Sequence, residues 1–203
     1  MHIFTDCSVS RNFGKATGSF LFSDSLDTVD PAHIKLIQFD SRSSTIAEYL
    51  TIGHVFDYLN ILYEKLVDDI PEIYLYTDCE NFVKLVSIRK NKIKTTHRNY
   101  SLYQYLIQTV EKFKINVIWT KGHLEKELQK EKHQKIFPLV DTHARQNLRK
   151  IIKSQTNQID QSDQNNRPDP VEQPLDLIEQ PLDPIEQILD LTDQSNQNDL
   201  INK

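Results

Sequence analysis

The chain has 203 residues, which is enough for one domain and an additional segment. The charge is distributed unevenly along the chain. Residues 154–203 contain eleven acidic and two basic residues and carry a charge of −9, whereas residues 1–153 carry +4. No run of eighteen apolar residues is present, which excludes a membrane-spanning helix. A weakly basic body can bind nucleic acid where its charge is clustered.

Two cysteines, Cys7 and Cys79, are too few for the disulfide framework of a secreted domain. We therefore expect free thiols, an intracellular reducing compartment and no zinc site. The first residues also lack the basic and apolar regions of a secretory signal, so none is expected.

The predicted elements begin with three short β-rich segments, at residues 2–9, 18–22 and 33–39, whose short connections indicate an antiparallel meander. From Ser44 onward the apolar residues recur at steps of three and four, which predicts a helix that ends before Pro71. Its buried stripe should consist of Ile52, Val55, Leu59, Leu62 and Leu66. A strand at 72–77, helices at 80–88 and 102–113, a strand at 116–120 and a helix at 140–152 complete the order. This order predicts an α/β domain in which helices cover a mixed sheet.

Three seven-residue repeats follow the predicted domain: PVEQPLD (170–176), LIEQPLD (177–183) and PIEQILD (184–190). A heptad period is typical of coiled coils, but the prolines remove helix donors and clash with the preceding turn. The segment also lacks aromatic residues and is strongly acidic. We therefore predict a domain at residues 1–152 and a disordered acidic tail at residues 153–203.

Four acidic residues occupy positions that face inward. Asp6 follows the apolar start of the first predicted strand, and Asp78 follows the fourth. Glu48 continues the apolar stripe of the first long helix, and Asp141 continues that of the last helix. Strands in the middle of such sheets are covered on both faces, so these carboxylates should lie at the edge of the core.

Each of these acids alone has an ordinary structural explanation. A carboxylate at a strand end accepts backbone hydrogen bonds, and one at a helix start caps the first turn or interacts with the helix dipole. Four converging carboxylates would repel one another, however, and a hard divalent cation removes that repulsion. The set therefore predicts a metal site with Mg²⁺ as the natural occupant and Mn²⁺ as its substitute.

Seven motifs in order along residues 2–152 resemble those of the type 1 ribonuclease H family. Four of them contain a predicted ligand: IFTDCS (3–8), IAEY (46–49), YTDC (76–79) and VDTHA (140–144). The other three are NFG (12–14), NYSLY (99–103) and VIWTKGH (117–123).

The resemblance implies the ribonuclease H-like three-layer fold, which retroviral integrases share. This fold has a five-stranded mixed sheet, three antiparallel strands then two parallel ones, with helices on both faces. It implies an endonuclease that hydrolyses the RNA strand of RNA–DNA hybrids and leaves 5′-phosphate and 3′-hydroxyl ends. Two divalent cations, Mg²⁺ or its substitute Mn²⁺, would be held by Asp6, Glu48, Asp78 and Asp141 as catalytic ligands. We expect a monomer without a small-molecule cofactor.

Further site residues follow from the same resemblance. His123 stands where the family has a histidine in a flexible loop, which would move a proton or help the product leave. Glu48 stands where the family contacts the ribose 2′-hydroxyl that distinguishes RNA from DNA. Contacts to the nucleic acid are predicted at Asn12, Ser44, Thr45, Arg89, Lys90, Lys92 and Lys94. The basic run 89–98 is equally compatible with a solvated loop and with phosphate contacts.

The chain departs from the family pattern at several positions. Cys7 replaces a glycine, and Ser44 and Thr45 replace paired asparagines that contact substrate. Glu80 replaces a substrate-binding glutamine of some members, and residues 137–138 replace an Asn-Glu pair. None of these changes removes a predicted ligand.

The two cysteines each follow a predicted ligand directly. Alternation along an extended chain should turn Cys7 and Cys79 to the opposite face, so we expect buried thiols that are not ligands.

Two other functions stay open. One is a nuclease of the same fold that acts on branched or single-stranded DNA. The other is a non-catalytic module that binds nucleic acid or a partner. The complete carboxylate set argues against the second, and the ordered motif match argues against the first. Richness in Lys, Asn, Ile and Gln is typical of an AT-rich genome, such as that of a large virus or a protist.

Overall fold

A mixed sheet of five strands organises the chain in the computed structural model, which describes residues 1–63 and 70–165, with side chains to residue 157. The strands are β1 (His2–Ser10), β2 (Lys15–Ser23), β3 (Lys35–Asp40), β4 (Tyr74–Thr77) and β5 (Asn116–Trp119). The helices are α1 (Ser44–Tyr63), α2 (Glu80–Lys84), α3 (Tyr100–Lys112) and α4 (Lys132–Asn165). A π-helical turn, Leu85–Arg89, continues α2, and single 3₁₀ turns lie at Pro31–His33 and Lys126–Leu128.

The strand order is β3-β2-β1-β4-β5. β1 to β3 pair antiparallel, whereas β4 pairs parallel with both β1 and β5. This confirms the predicted sheet of three antiparallel strands followed by two parallel ones. Phe4 lies opposite Tyr76 in the parallel register. Asp6, still within β1, and Asp78, just after β4, each lie two residues further on, so their side chains lie side by side on the same face.

Helices cover both faces of the sheet, as predicted. One core cluster lies between the sheet and α1, α2 and α3, and includes Ile3, Phe20 and Leu75. The second lies between the sheet and α4, and includes Phe4 and Tyr76. The alternation of Ile3 and Phe4 between these clusters is the period of a strand buried on both faces.

The first long helix, α1, begins at Ser44 as predicted. The hydroxyl of Ser43 accepts a hydrogen bond from the backbone N–H of Ile46 at 3.3 Å, which satisfies one donor of the first turn. Its predicted stripe is buried from Ile52 to Leu59. The prediction is wrong for Leu62, which is 58% exposed because the helix extends past the edge of the core there. The predicted stripe position Leu66 lies outside the described residues.

The last helix, α4, differs most from its prediction. It begins at Lys132, eight residues before the predicted start, and it includes Pro138. Burial of Ile136 and Phe137 against the second core cluster stabilises this part of the helix despite the proline. Asp141 therefore lies inside the helix. The predicted start at residue 140 had placed it in the first turn.

α4 also continues past residue 152, where the sequence predicts its end. It is helical as far as Asn165, the last described residue and thirteen residues further on. The acidic repeats at 170–190, with the disorder predicted for them, lie outside the described residues. Among the residues that are described, no helix has both the length and the apolar composition that crossing a membrane requires.

Gly18 is a position where the sheet and α1 approach closely. A Cβ atom there would lie 2.3 Å from Oγ1 and 2.9 Å from Cγ2 of Thr51, and 2.9 Å from Cγ1 of Ile37. Rotation of the threonine cannot relieve this contact, because both of its branches are involved. Gly18→Ala should therefore destabilise the fold by about 1–3 kcal/mol and lower the thermal midpoint by about 3–10 °C.

Gly53 provides the matched control for this prediction, because a Cβ atom there meets nothing within 4 Å. Gly53→Ala lies inside α1 and should stabilise the protein by about 0.5–1 kcal/mol through helix propensity. Thermal unfolding followed by circular dichroism measures both effects. An unchanged midpoint for Gly18→Ala would contradict the close packing of β2 on α1.

Candidate metal centre

Three of the four predicted carboxylates meet at one end of the sheet. Asp6 lies in β1, Asp78 follows β4, and Glu48 lies in the second turn of α1. One carboxylate oxygen from each lies within 4.8 Å of the others. The parallel pairing of β1 with β4 brings the two aspartates together, and α1 crosses the sheet so that Glu48 reaches them.

Asp6 is the most enclosed of these aspartates, at 5% exposure. Its Oδ1 accepts a hydrogen bond of 2.8 Å from the backbone N–H of Cys7. Opposite it on β2, the hydroxyl of Ser19 donates a hydrogen bond of 2.7 Å to the carbonyl of Val140 in α4. This bond fixes α4 against the sheet one residue before Asp141.

Glu48 has its two carboxylate oxygens in different environments. Oε1 accepts a hydrogen bond from the thiol of Cys7 at 3.2 Å. Oε2 is buried and has no hydrogen-bond partner among the described residues. A buried carboxylate oxygen without a donor is unfavourable by itself, so this atom requires a proton or a cation.

Asp141 lies beside the group of three, and it is 7% exposed. Its Oδ2 pairs with the guanidinium of Arg145, one helical turn further along α4. Nδ1 of His123 lies 3.5 Å from the same oxygen. The structure thus brings His123 to Asp141 and adds Arg145, which none of the motifs includes.

The loop after β5 packs directly on Asp78. The indole N–H of Trp119 donates to the carbonyl of Asp78 at 3.2 Å, and a Cβ atom at Gly122 would lie 2.4 Å from its Oδ2. Only glycine fits this approach without displacing the carboxylate. The next residue, His123, has a φ of +53°, which turns its side chain toward Asp141.

The electrostatics of the three clustered carboxylates favour protonated or metal-bound forms. Burial, and then the charges of Glu48, Asp78 and Asp141, raise the pKa of Asp6 well above its usual range. Burial, together with the charge of Asp78, raises the pKa of Glu48 to about 8. Burial and the charge of Asp141 also raise the pKa of Asp78. Each carboxylate therefore holds its proton more tightly than in water.

These observations test whether a divalent metal fits the site. The donors are all carboxylate oxygens, which hard cations such as Mg²⁺ and Mn²⁺ prefer. The oxygens lie within the span of one or two ions, and Oε2 of Glu48 has no other partner in the described part of the chain. A cation would also remove the repulsion that raises the pKa values. The residues therefore fit a divalent metal.

The predicted contacts to nucleic acid lie in three separate parts of the chain. Asn12 is exposed in the turn between β1 and β2, and Ser44 and Thr45 begin α1. Lys90 pairs with Glu111 of α3 at 3.0 Å. The other predicted basic contacts, all exposed, are Arg89 at the end of the π-helical turn and Lys92 and Lys94 in the loop that follows.

The prediction of two buried thiols is confirmed for Cys79 and wrong for Cys7, which is only partly buried. Cys79 is buried, as expected. Cys7 does point away from Asp6 along the strand, but α1 covers that face and brings Glu48 within hydrogen-bond distance. Burial and the neighbouring charge of Glu48 raise the pKa of the Cys7 thiol, so it remains protonated and donates.

Two further contacts were missed in the sequence. Spacing could have revealed Arg145, because Asp141 and Arg145 stand four residues apart on one helix. The contact between Trp119 and Asp78 depends on strand register, since Trp119 lies opposite Thr77. Register between β4 and β5 is not readable from the sequence.

Comparison with known proteins relates this architecture to solved structures. No protein-family model matches the chain, and no curated protein matches its sequence. A ribonuclease H1 isolated from compost by a metagenomic approach, LC11-RNase H1, is similar at 17% identity, over 72% of this chain and 96% of that one, with a TM-score of 0.50. The same enzyme in complex with an RNA/DNA hybrid is similar at 17% identity, over 64% and 91%, with a TM-score of 0.49.

A foamy viral protease-reverse transcriptase, solved in complex with double-stranded DNA, is also similar. Its identity is 11%, over 70% of this chain and 92% of that one, and its TM-score is 0.50. At these identities the comparisons concern the fold alone. The chain has the ribonuclease H-like fold that the motif resemblance implied.

The raised pKa of Glu48 predicts how the stability of the metal-free protein depends on pH. Its pKa rises from an ordinary 4.5 to about 8 on folding, so the stabilising contribution is present below 4.5 and is lost as the pH rises through about 8. Glu48→Gln stays neutral at every pH. In EDTA this variant should exceed the unaltered protein in thermal midpoint by at least about 3 °C near pH 9, and by less near pH 5.

Glu111→Gln is the control for this measurement, because Glu111 lies on the surface of α3. It should change the midpoint equally at the two pH values. An equal shift for Glu48→Gln at both pH values would show that Glu48 ionises as it does in water.

Proposed function

We propose that this chain, which has the ribonuclease H-like fold, is a metal-dependent endonuclease that cleaves the RNA strand of RNA–DNA hybrids. The observation that carries the proposal is the meeting of Asp6, Glu48 and Asp78 within 4.8 Å at the end of the sheet. Asp141 lies beside them, and the sequence motifs around all four resemble those of type 1 ribonucleases H. A binding module without catalysis has no need for such a costly convergence of buried charge.

Two divalent cations, Mg²⁺ or Mn²⁺, would be held by Asp6, Glu48, Asp78 and Asp141. When bound, such cations polarise the scissile phosphate, lower the pKa of water and stabilise the leaving oxygen. The chain contributes a rigid frame, because Asp6 lies in β1, Asp78 directly follows the paired strand β4, and Glu48 and Asp141 lie on long helices. This frame keeps the carboxylates in place before substrate arrives.

His123 is the residue best placed to move a proton. Its side chain is 68% exposed, and its Nδ1 lies 3.5 Å from Oδ2 of Asp141. It can therefore exchange protons with solvent on one side while it faces the carboxylates on the other. Arg145 pairs with the same oxygen of Asp141 and offsets part of the negative charge that an incoming phosphate meets.

The choice of an RNA–DNA hybrid as substrate rests on the motifs and on Glu48. In the resemblance, Glu48 stands where the family contacts a ribose 2′-hydroxyl, which DNA lacks. Ser44 and Thr45 lie in the turn of α1 that precedes Glu48, and they present hydroxyls in place of the family's asparagines. The basic loop 89–98 supplies positive charge for phosphates, although Lys90 is already paired with Glu111.

A cleavage assay on labelled substrates tests this function. With Mg²⁺, the full chain should cleave an RNA–DNA hybrid and leave a DNA duplex, a branched DNA and a single-stranded DNA intact. Asp78→Asn should lower the rate more than about 100-fold, because loss of an outer partner of a ligand alone costs 10–100-fold. Binding of the hybrid in the presence of Ca²⁺, measured by fluorescence anisotropy, should persist.

Asp40→Asn is the matched control, since Asp40 is exposed at the end of β3 and, among the described residues, forms an ion pair with Lys15 alone. It should cleave at the rate of the unaltered protein. Equal rates on hybrid and duplex DNA would refute the substrate, and full activity of Asp78→Asn would refute the site.

We also propose that the domain defined by the sheet and α1 to α4 contains the whole activity. The acidic repeats follow this domain. Because α4 is described as far as Asn165, a truncated chain should end there and not at residue 152. A chain of residues 1–165 should retain the melting cooperativity and the hybrid cleavage of the full chain within about twofold. A loss of soluble, folded protein on this truncation would show that the acidic segment belongs to the domain.

A further inference from the structure

Cys7 is the residue of the centre that the proposed mechanism does not use. It occupies the place of a glycine in the family that the motifs resemble. It contacts two of the clustered carboxylates at once: its backbone N–H donates to Oδ1 of Asp6 at 2.8 Å, and its thiol lies 3.2 Å from Oε1 of Glu48. A glycine in this position could make the first contact and not the second.

The thiol has one competing acceptor. The carbonyl of Ser44 lies 3.9 Å from Sγ, which is at the limit for a sulfur donor. The Glu48 oxygen is 0.7 Å closer and is ionisable, and hydrogen bonds to charged groups are the stronger ones. The thiol therefore donates to Glu48.

Because of this hydrogen bond, the two carboxylate oxygens of Glu48 have different roles. Oε1 is occupied by the thiol, while Oε2 is buried without a partner in the described chain. A carboxylate that is anchored through one oxygen has lost its freedom to rotate. The other oxygen is then preorganised for a cation, which is the role of outer partners in metal sites generally.

We propose that Cys7 is a positioning residue for the metal centre: its thiol holds Oε1 of Glu48 and thereby directs Oε2 to the cation. This inference rests on the proposed function, because it assumes that Glu48 is a metal ligand. It assigns the thiol no bond to the metal and no step in the reaction. The thiol acts through Glu48, in its protonated form.

Cys79 provides an unusually close control. Like Cys7, it directly follows a clustered aspartate. Its thiol is buried, whereas that of Cys7 is partly buried. Its backbone N–H donates to the hydroxyl of Thr77 at 3.1 Å, a contact that survives removal of the thiol. Cys79→Ala therefore removes a buried thiol from the same end of the sheet without removing an anchor of Glu48.

The first test measures Mn²⁺ binding to the full chain by isothermal titration calorimetry, without nucleic acid. Cys7→Ala should weaken the tightest Mn²⁺ site about tenfold, which corresponds to the loss of one hydrogen bond to a charged acceptor. Cys7→Ser keeps an O–H donor and should bind within about threefold of the unaltered protein. Cys79→Ala should bind as tightly as the unaltered protein.

The outcomes separate this inference from the function on which it rests. If Glu48→Gln weakens Mn²⁺ binding and Cys7→Ala does not, the role of Cys7 is refuted and the metal centre stands. If Glu48→Gln leaves Mn²⁺ binding unchanged, the proposed metal centre fails, and the role of Cys7 fails with it. Equal weakening by Cys7→Ala and Cys79→Ala would mean that either thiol acts only through packing.

The second test is spectroscopic, and it needs no metal binding by any of the variants. At pH 9, where Glu48 is ionised, the infrared S–H stretching band of Cys7, assigned by its loss in Cys7→Ala, should lie at lower frequency than the band of Cys79, because of the two thiols only that of Cys7 donates to Glu48. In Glu48→Gln the Cys7 band should move to higher frequency, since an amide oxygen is a weaker acceptor. A Cys7 band that coincides with that of Cys79 and ignores Glu48→Gln would overturn the proposal.

Discussion

The parallel pairing of β1 with β4 is the constraint on which the rest of the structure depends. It sets Phe4 opposite Tyr76, and so places Asp6 of β1 beside Asp78, which directly follows β4. Neither carboxylate would be buried beside another without a compensating charge. The crossing of α1 and the packing of α4 then add Glu48 and Asp141, which makes the end of the sheet a place that only a proton or a cation can satisfy.

Much of this arrangement could be predicted because it follows from local patterns. Alternation in the strands and the stripe of Ile52, Val55 and Leu59 determine which faces are buried, and the acids stand in line with those faces. The start of α4 could not be read in the same way. Pro138 and the lysines before it favour a loop, and only the burial of Ile136 and Phe137 against the sheet overrides them.

Contacts between elements were the least predictable part of the site. The alternation of side chains along β1 correctly predicts that Cys7 points away from Asp6. The opposite face of the sheet is covered by α1, however, so the thiol contacts Glu48 there. Lys90 stands in a basic run, but its partner Glu111 comes from the surface of α3. Such pairs depend on how helices cross a sheet, and a single sequence does not state those angles.

His123 lies on an exposed loop and adopts a left-handed backbone conformation, with φ at +53°, which glycine and asparagine adopt more readily. An L-residue with a large side chain loses about 1 kcal/mol in that conformation. Selection for thermal stability alone would therefore discard this histidine early, and variants chosen in that way should converge on glycine at position 123. The fold thus carries a built-in trade-off, in which the most easily stabilised position of the loop is also the one that faces Asp141.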